Sequence, residues 1–336
     1  MTMQRGGREP RTTIHSMPTT APSPAAFLVF LLLTAVAVGQ GAGEGETAGV
    51  QTPPSRDLTK EQVAERLEGV KRELVPKVWS PKVGESELEQ RKYLAGWQAV
   101  TSDHYILFTN GPTASCKKYA STLEQLYKYV QKELPFADID HKLTCYIFAA
   151  PEEYYRFCGA VAGWSETQAR ATAGHANSTY YACYYESPRA PVVFHEATHQ
   201  IVGACLKVPG VGSWFQEGLA VYFEKKTSGE KPAGTIKNDL KRGDHYPLEE
   251  FFGIASLLSD PKGNGHRNYD HAGALIDFLI NTRLKPVAGK FPAFLAAARQ
   301  GRGFGRGADT SKKLVKEVNG LEPAELEALW RKHVGL

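Results

Sequence analysis

Residues 195–199 read His-Glu-Ala-Thr-His, and residues 214–220 read Trp-Phe-Gln-Glu-Gly-Leu-Ala. These two stretches constrain the fold more than anything else in the chain, because their chemistry works only if both lie on helices that meet. Residues four apart share one helix face, so His195 and His199 can aim ring nitrogens at a single ion about 2 Å away. Glu196 then stands one residue round, beside the ion rather than on it. A catalytic zinc keeps three protein ligands and one open position, so a third ligand must come from another element. Glu217 is the candidate. With one zinc ion (Zn2+) as cofactor and Glu196 as general base, the set describes the centre of a metallohydrolase.

The surroundings agree with a helix. Pro188 and Pro191 mark its start, and Pro209-Gly210 its end. Val193, Ala197, Ile201 and Ala204 or Cys205 recur at helical spacing as an apolar stripe, which leaves His195, His199 and Val202 on a neighbouring side. Two plainer readings compete. In one, the histidines are ordinary helix residues and Glu196 is a solvated charge. In the other, the zinc is structural, but such sites close with four ligands, often Cys, and the chain has no Cys-x-x-Cys pair.

Together the two motifs resemble those of the peptidase-MA-like gluzincins, HExxH zinc peptidases whose third ligand is a Glu on a second helix, and most nearly a secreted group of that clan. The likeness runs from Trp97 to the C-terminus in the order of elements, while the specific motifs occupy residues 194–224. It implies an α+β, zincin-like fold, with a small mixed sheet and the metal-binding helix in an N-terminal lobe and a mainly helical C-terminal lobe. It also implies hydrolysis of peptide bonds by a metal-activated water, with His195, His199 and Glu217 as metal ligands and Glu196 as base. The partner is then a peptide or protein substrate. Substrates of the clan add as an extra strand to an edge strand, and the resemblance assigns that edge to residues 178–186, a run rich in tyrosine.

One departure stands out. Thermolysin-type members of the clan carry an Asp four residues beyond the ligand Glu, supporting a ligand histidine, where this chain has Val221. Glu224, two turns from Glu217 on the same face, can take that role or be a plain surface residue. The resemblance also calls for a Tyr or His downstream of the ligand helix to donate to the oxyanion. Tyr269 and His271 are the candidates, and the resemblance prefers Tyr269; a helix-start aromatic packed on the core is the competing reading of that residue.

The remainder of the chain frames this centre. The sequence has 336 residues, 42% of them hydrophobic, which permits a substantial core. Its formal charge of +4 is scattered without a basic stripe, so nothing points to nucleic acid. Residues 25–38 are an unbroken apolar run preceded by Arg5, Arg8 and Arg11, the pattern of an export signal, so residues 1–40 read as a signal peptide and the protein as secreted or periplasmic. A membrane helix needs about 20 apolar residues, so no stable span is expected, with an uncleaved anchor as the alternative. Residues 41–96 read as a linker and an amphipathic helix, 97–226 as the zincin-like lobe, and 227–336 as the helical lobe. Strands are expected over 104–109 and 143–149 around a helix at 114–134, and later helices over 248–258, 272–279, 291–298 and 323–334. The glycine-rich residues 301–307 read as a surface loop. The five cysteines leave at least one thiol unpaired, and isolated buried thiols are the expected state. Two functions remain beside a peptidase: a non-peptidase metallohydrolase and a binding domain that cleaves nothing.

Overall fold

The computed structural model describes residues 57–79, 87–185, 187–208, 211–231, 236–258, 260, 262, 264–300 and 308–336. The expected export signal and the glycine-rich loop lie outside the described residues. The chain enters with α1 (Lys60–Glu73), α2 (Val75–Val78) and α3 (Glu87–Gly96), then forms β1 (Gln98–Thr101), β2 (Tyr105–Thr109), α4 (Thr113–Glu133) and β3 (Leu143–Phe148). After α5 (Pro151–Phe157) and α6 (Glu166–Arg170) come β4 (Gly174–Ala176), β5 (Tyr180–Tyr184), α7 (Pro191–Ile201) and α8 (Ser213–Ser228). Six helices follow: α9 (Ile236–Arg242), α10 (Leu248–Phe251), α11 (Gly265–Asn281), α12 (Phe291–Gln300), α13 (Ala308–Asn319) and α14 (Pro323–His333). The architecture is α+β, mainly helical around one small mixed sheet.

The sheet runs β1-β2-β3-β5-β4, with β2, β3 and β5 parallel and the outer strands antiparallel. Its inner strands are apolar on both faces because both are covered, as parallel strands require. Tyr105, Leu107, Cys145, Ile147, Tyr181 and Cys183 face the core that holds α4, α7 and α8, whereas Ile106, Phe108, Phe148 and Ala182 face a second core with α2 and α5. On α4, Cys116, Tyr119, Leu123, Leu126, Tyr127 and Val130 recur at helical spacing and are buried against the first face. On the other face α1, started by a Thr59–Gln62 capping box, lays Leu67 and Val70 over the second core.

Residues 180–184 do form a strand, but not the edge. β5 lies between β3 and β4, so the expectation that residues 178–186 form the edge strand is corrected: β4 holds that place. Asn177 causes the reversal. Its Oδ1 accepts from the backbone N–H of Thr179 (2.8 Å) and Tyr180 (3.0 Å), a turn that folds residues 174–176 back along the outside of β5. A strand of three residues carries too little alternation to be read from sequence.

The first core continues from the sheet through α7, α8 and α11 to Trp330 on α14. Helices α9 and α13 were not expected, and the segment expected over 248–258 is helical only as far as Phe251. All five cysteines are free, four buried and Cys205 half-buried. Among the described residues no helix is long and apolar enough to cross a membrane.

Candidate metal centre

α7 starts with Pro191 in its first turn, where a missing N–H costs nothing, and its rotation on the sheet is set by a buried amide. Gln200 Nε2 donates to Thr144 O of β3 at 2.9 Å, which turns His195, Glu196 and His199 towards α8 and the β4 edge. The helix ends in a π-helical turn, Val202–Leu206, closed by Lys207 in the left-handed region (φ 51°). α8 buries Trp214, Phe215, Leu219, Val221, Tyr222 and Phe223 around its ligand residue, and Trp214 Nε1 anchors it by donating to Ser311 Oγ at 2.8 Å. Each large apolar side chain so buried is worth roughly 1.5–3 kcal/mol, enough together to offset the several kcal/mol that burying an ion costs. The helix can therefore hold a carboxylate at its centre.

That carboxylate is Glu217. Its Oε2 lies 3.2 Å from His195 Nε2 and 3.2 Å from His199 Nε2, the first contact a hydrogen bond and the second outside hydrogen-bond direction. One potential ligand atom from each of the three residues lies within 4.8 Å of the others, so among the described residues this group is able to hold a metal ion. Burial pushes the Glu217 carboxyl up, but the two imidazoles outweigh it and bring it down to about 2. It stays ionised. Burial likewise opposes a charge on His195, and the hydrogen bonds to Glu217 and Glu224 override it, raising its proton affinity well above the usual range.

Glu224 resolves the open question about its role in favour of support. Its Oε2 sits 3.0 Å from His195 Nδ1, two turns beyond Glu217 on α8. A proton kept on Nδ1 by Glu224 would leave Nε2, on the side of Glu217 and His199, as the nitrogen that binds an ion in place of its proton. Val221 is occupied otherwise: it packs against Gly273 of α11, where an added Cβ would meet Val221 Cγ1 at 2.5 Å.

Glu196 is fully buried, and neither of its carboxylate oxygens has a hydrogen-bond partner. Burial is the main cause that moves its carboxyl up, to about 7, against the pull of His195 and His199. A buried carboxylate without a partner costs several kcal/mol and marks a site where something else is meant to bind. Its neighbour is Gly174 of the edge strand, where an added Cβ would stand 3.5 Å from Glu196 Cγ and 3.2 Å from Cys183 Cβ. Gly174 had no signal in the sequence, because nothing there placed β4 beside α7.

Tyr269 and His271 separate sharply. The ring of Tyr269 stacks on His195 with centroids 5.9 Å apart and planes 22° from parallel. Burial, and then the Glu217 and Glu196 carboxylates, raise its phenol far above the usual range, so it remains a neutral hydroxyl. His271 points to the other side of α11, 3.4 Å from Asp239 and edge-on to His245 and Trp330. The close approach of α8 and α11 sets this arrangement: a Cβ on Gly218 would come within 2.7 Å of Ala272 O. No family model matches the chain and no curated protein matches it, so the case for this centre rests on its geometry.

Proposed function

We propose that the chain is an exported zinc-dependent peptidase of the gluzincin type, with a zincin-like fold, that hydrolyses peptide bonds with Glu196 as general base. The observation that carries this reading is Glu196 itself, fully buried with both oxygens unpartnered beside two imidazoles and an ionised carboxylate. The donor set fits zinc. Bonds of about 2 Å at tetrahedral angles place ligand atoms about 3.3 Å apart, close to the 3.2 Å between Glu217 Oε2 and each histidine Nε2. His195, His199 and Glu217 would hold the ion. Bound there, zinc supplies a water nucleophile at neutral pH and polarises the substrate carbonyl.

The chain's own groups do the remainder. Glu196 takes the proton of the attacking water and returns it to the leaving amine. Tyr269, kept neutral, donates its hydroxyl to the oxygen that gains charge. Glu224 holds His195 in one tautomer and orientation. β4, the last strand of the sheet and the neighbour of Glu196, is where an extended peptide would add, with main-chain bonds giving affinity that does not depend on sequence.

Metal analysis and digestion of a peptide library test the reading together. Glu196→Gln is expected to keep zinc and lose at least about 1,000-fold in turnover, as expected for a general base (typically 10²–10⁴-fold), while His195→Ala loses both. Full turnover by Glu196→Gln would sink the assignment of the base, and purified protein without zinc would sink the metallopeptidase.

A further inference from the structure

The roles given to Glu217 and Glu224 leave the next residue of α8 unexplained. The side chain of Lys225 is only 12% exposed, and its ammonium pairs with Asp270 Oδ1 on α11. Asp270 follows Tyr269, whose ring lies on His195. An ion pair with one largely buried and one partly exposed partner is weak evidence for stability, because solvent screens it on one side and desolvating the ammonium costs part of the attraction. What such a pair can provide is one register between the elements that carry it.

A directional contact already joins α8 and α11 at the far end of α11, where Asn281 Nδ2 donates to Tyr222 Oη at 3.2 Å. Nearer Tyr269, the close approaches of Gly218 to Ala272 and Ile276 and of Gly273 to Val221 are packing contacts without direction. Tyr269 stands in the second turn of α11, so the rotation of the helix about its axis sets where the phenol lies. The ammonium of Lys225 on α8 and the carboxylate adjoining Tyr269 place a directional contact at this end of the interface.

We infer that Lys225 and Asp270 are positioning residues, which lock the start of α11 onto α8 in the rotation that lays Tyr269 over His195. The inference rests on the oxyanion role proposed for Tyr269. Lys225→Met replaces the ammonium by an apolar group of similar length and leaves Asp270, 36% exposed, hydrated.

The experiment uses the zinc-loaded full chain carrying tyrosine labelled with 13C at Cζ, with the Tyr269 resonance identified by its loss in Tyr269→Phe. In Lys225→Met that resonance is expected to shift or broaden, and kcat to fall about 10- to 100-fold, the scale of a misplacement near 1 Å. KM and zinc content stay at wild-type values. If Lys225→Met does not fold, Asp270→Asn carries the same readouts. A lower melting temperature with an unmoved Tyr269 resonance and unchanged kcat would show a pair that serves stability alone, and would overturn the inference. A wild type without peptidase activity would sink the proposed function instead, while the resonance still decides the role of the pair.

Discussion

Glu224 shows how one residue can take over a task that its neighbour's packing forbids. Val221 is committed as a knob against Gly273, so the carboxylate that steadies His195 comes one turn further along α8. Glu224→Ala is expected to weaken zinc binding about 10- to 100-fold, the usual effect of losing a ligand's hydrogen-bond partner, as read by competition with a chelator. His175 offers a second test away from the metal. It lies on β4 between the hydroxyls of Tyr154 (3.1 Å) and Tyr180 (3.2 Å), and burial lowers its pKa from 6.5 to about 4. Between those values the unfolded chain binds a proton that the folded chain refuses, so stability falls as pH drops from 6.5 to 4, by about 3 kcal/mol in all. Denaturant unfolding at pH 7 and 4.5 should show a smaller loss in His175→Gln than in the wild type. The meeting of His195, His199 and Glu217 was legible in the sequence because helical spacing fixes which side chains share a face; Glu224 was legible only as a choice, since spacing cannot tell a carboxylate bonded to a histidine from a solvated one.

At the scale of elements, glycine serves opposite ends in two helices. Gly218 lies where α8 and α11 touch, and a methyl group there would meet Ala272 O at 2.7 Å and Ile276 Cγ1 at 2.8 Å. Gly218→Ala is expected to cost about 1–3 kcal/mol, as overpacking does, and to reduce turnover by pushing Tyr269 outward. Gly69, in the middle of α1, has open space where its Cβ would be. Alanine there should stabilise by roughly 0.5–1 kcal/mol through helix propensity alone. Unfolding in urea measures both. Long elements with a buried stripe, such as α4, were readable from periodicity. β4 was not, because three residues have no period, and its position beside Glu196 follows from a turn at Asn177 and from pairing with β5. α9 was hidden by its largely charged composition, with only Ile236 and Leu240 buried.

At the scale of the whole molecule, the centre concentrates acids and imidazoles inside one continuous core. Glu196 lies there without a hydrogen-bond partner among the described residues, and Glu217 stands against both histidines. Zinc at 1,000 times its dissociation constant should stabilise the fold by about 4 kcal/mol, raising the melting temperature by on the order of 10 °C for a chain of this size. Calorimetry with and without a chelator checks this, and His195→Ala should show no such rise. The arrangement of helices around the sheet bears on how such a protein matures. The described part of the chain ahead of Trp97 sits with α1 and α2 on the sheet face away from α7, covering Phe108 and Tyr146. A protease that trimmed this part would leave the candidate metal centre as covered as before and would strip the far face of the sheet bare. These helices are a buttress rather than a plug, and a latent form held off by them has no structural basis.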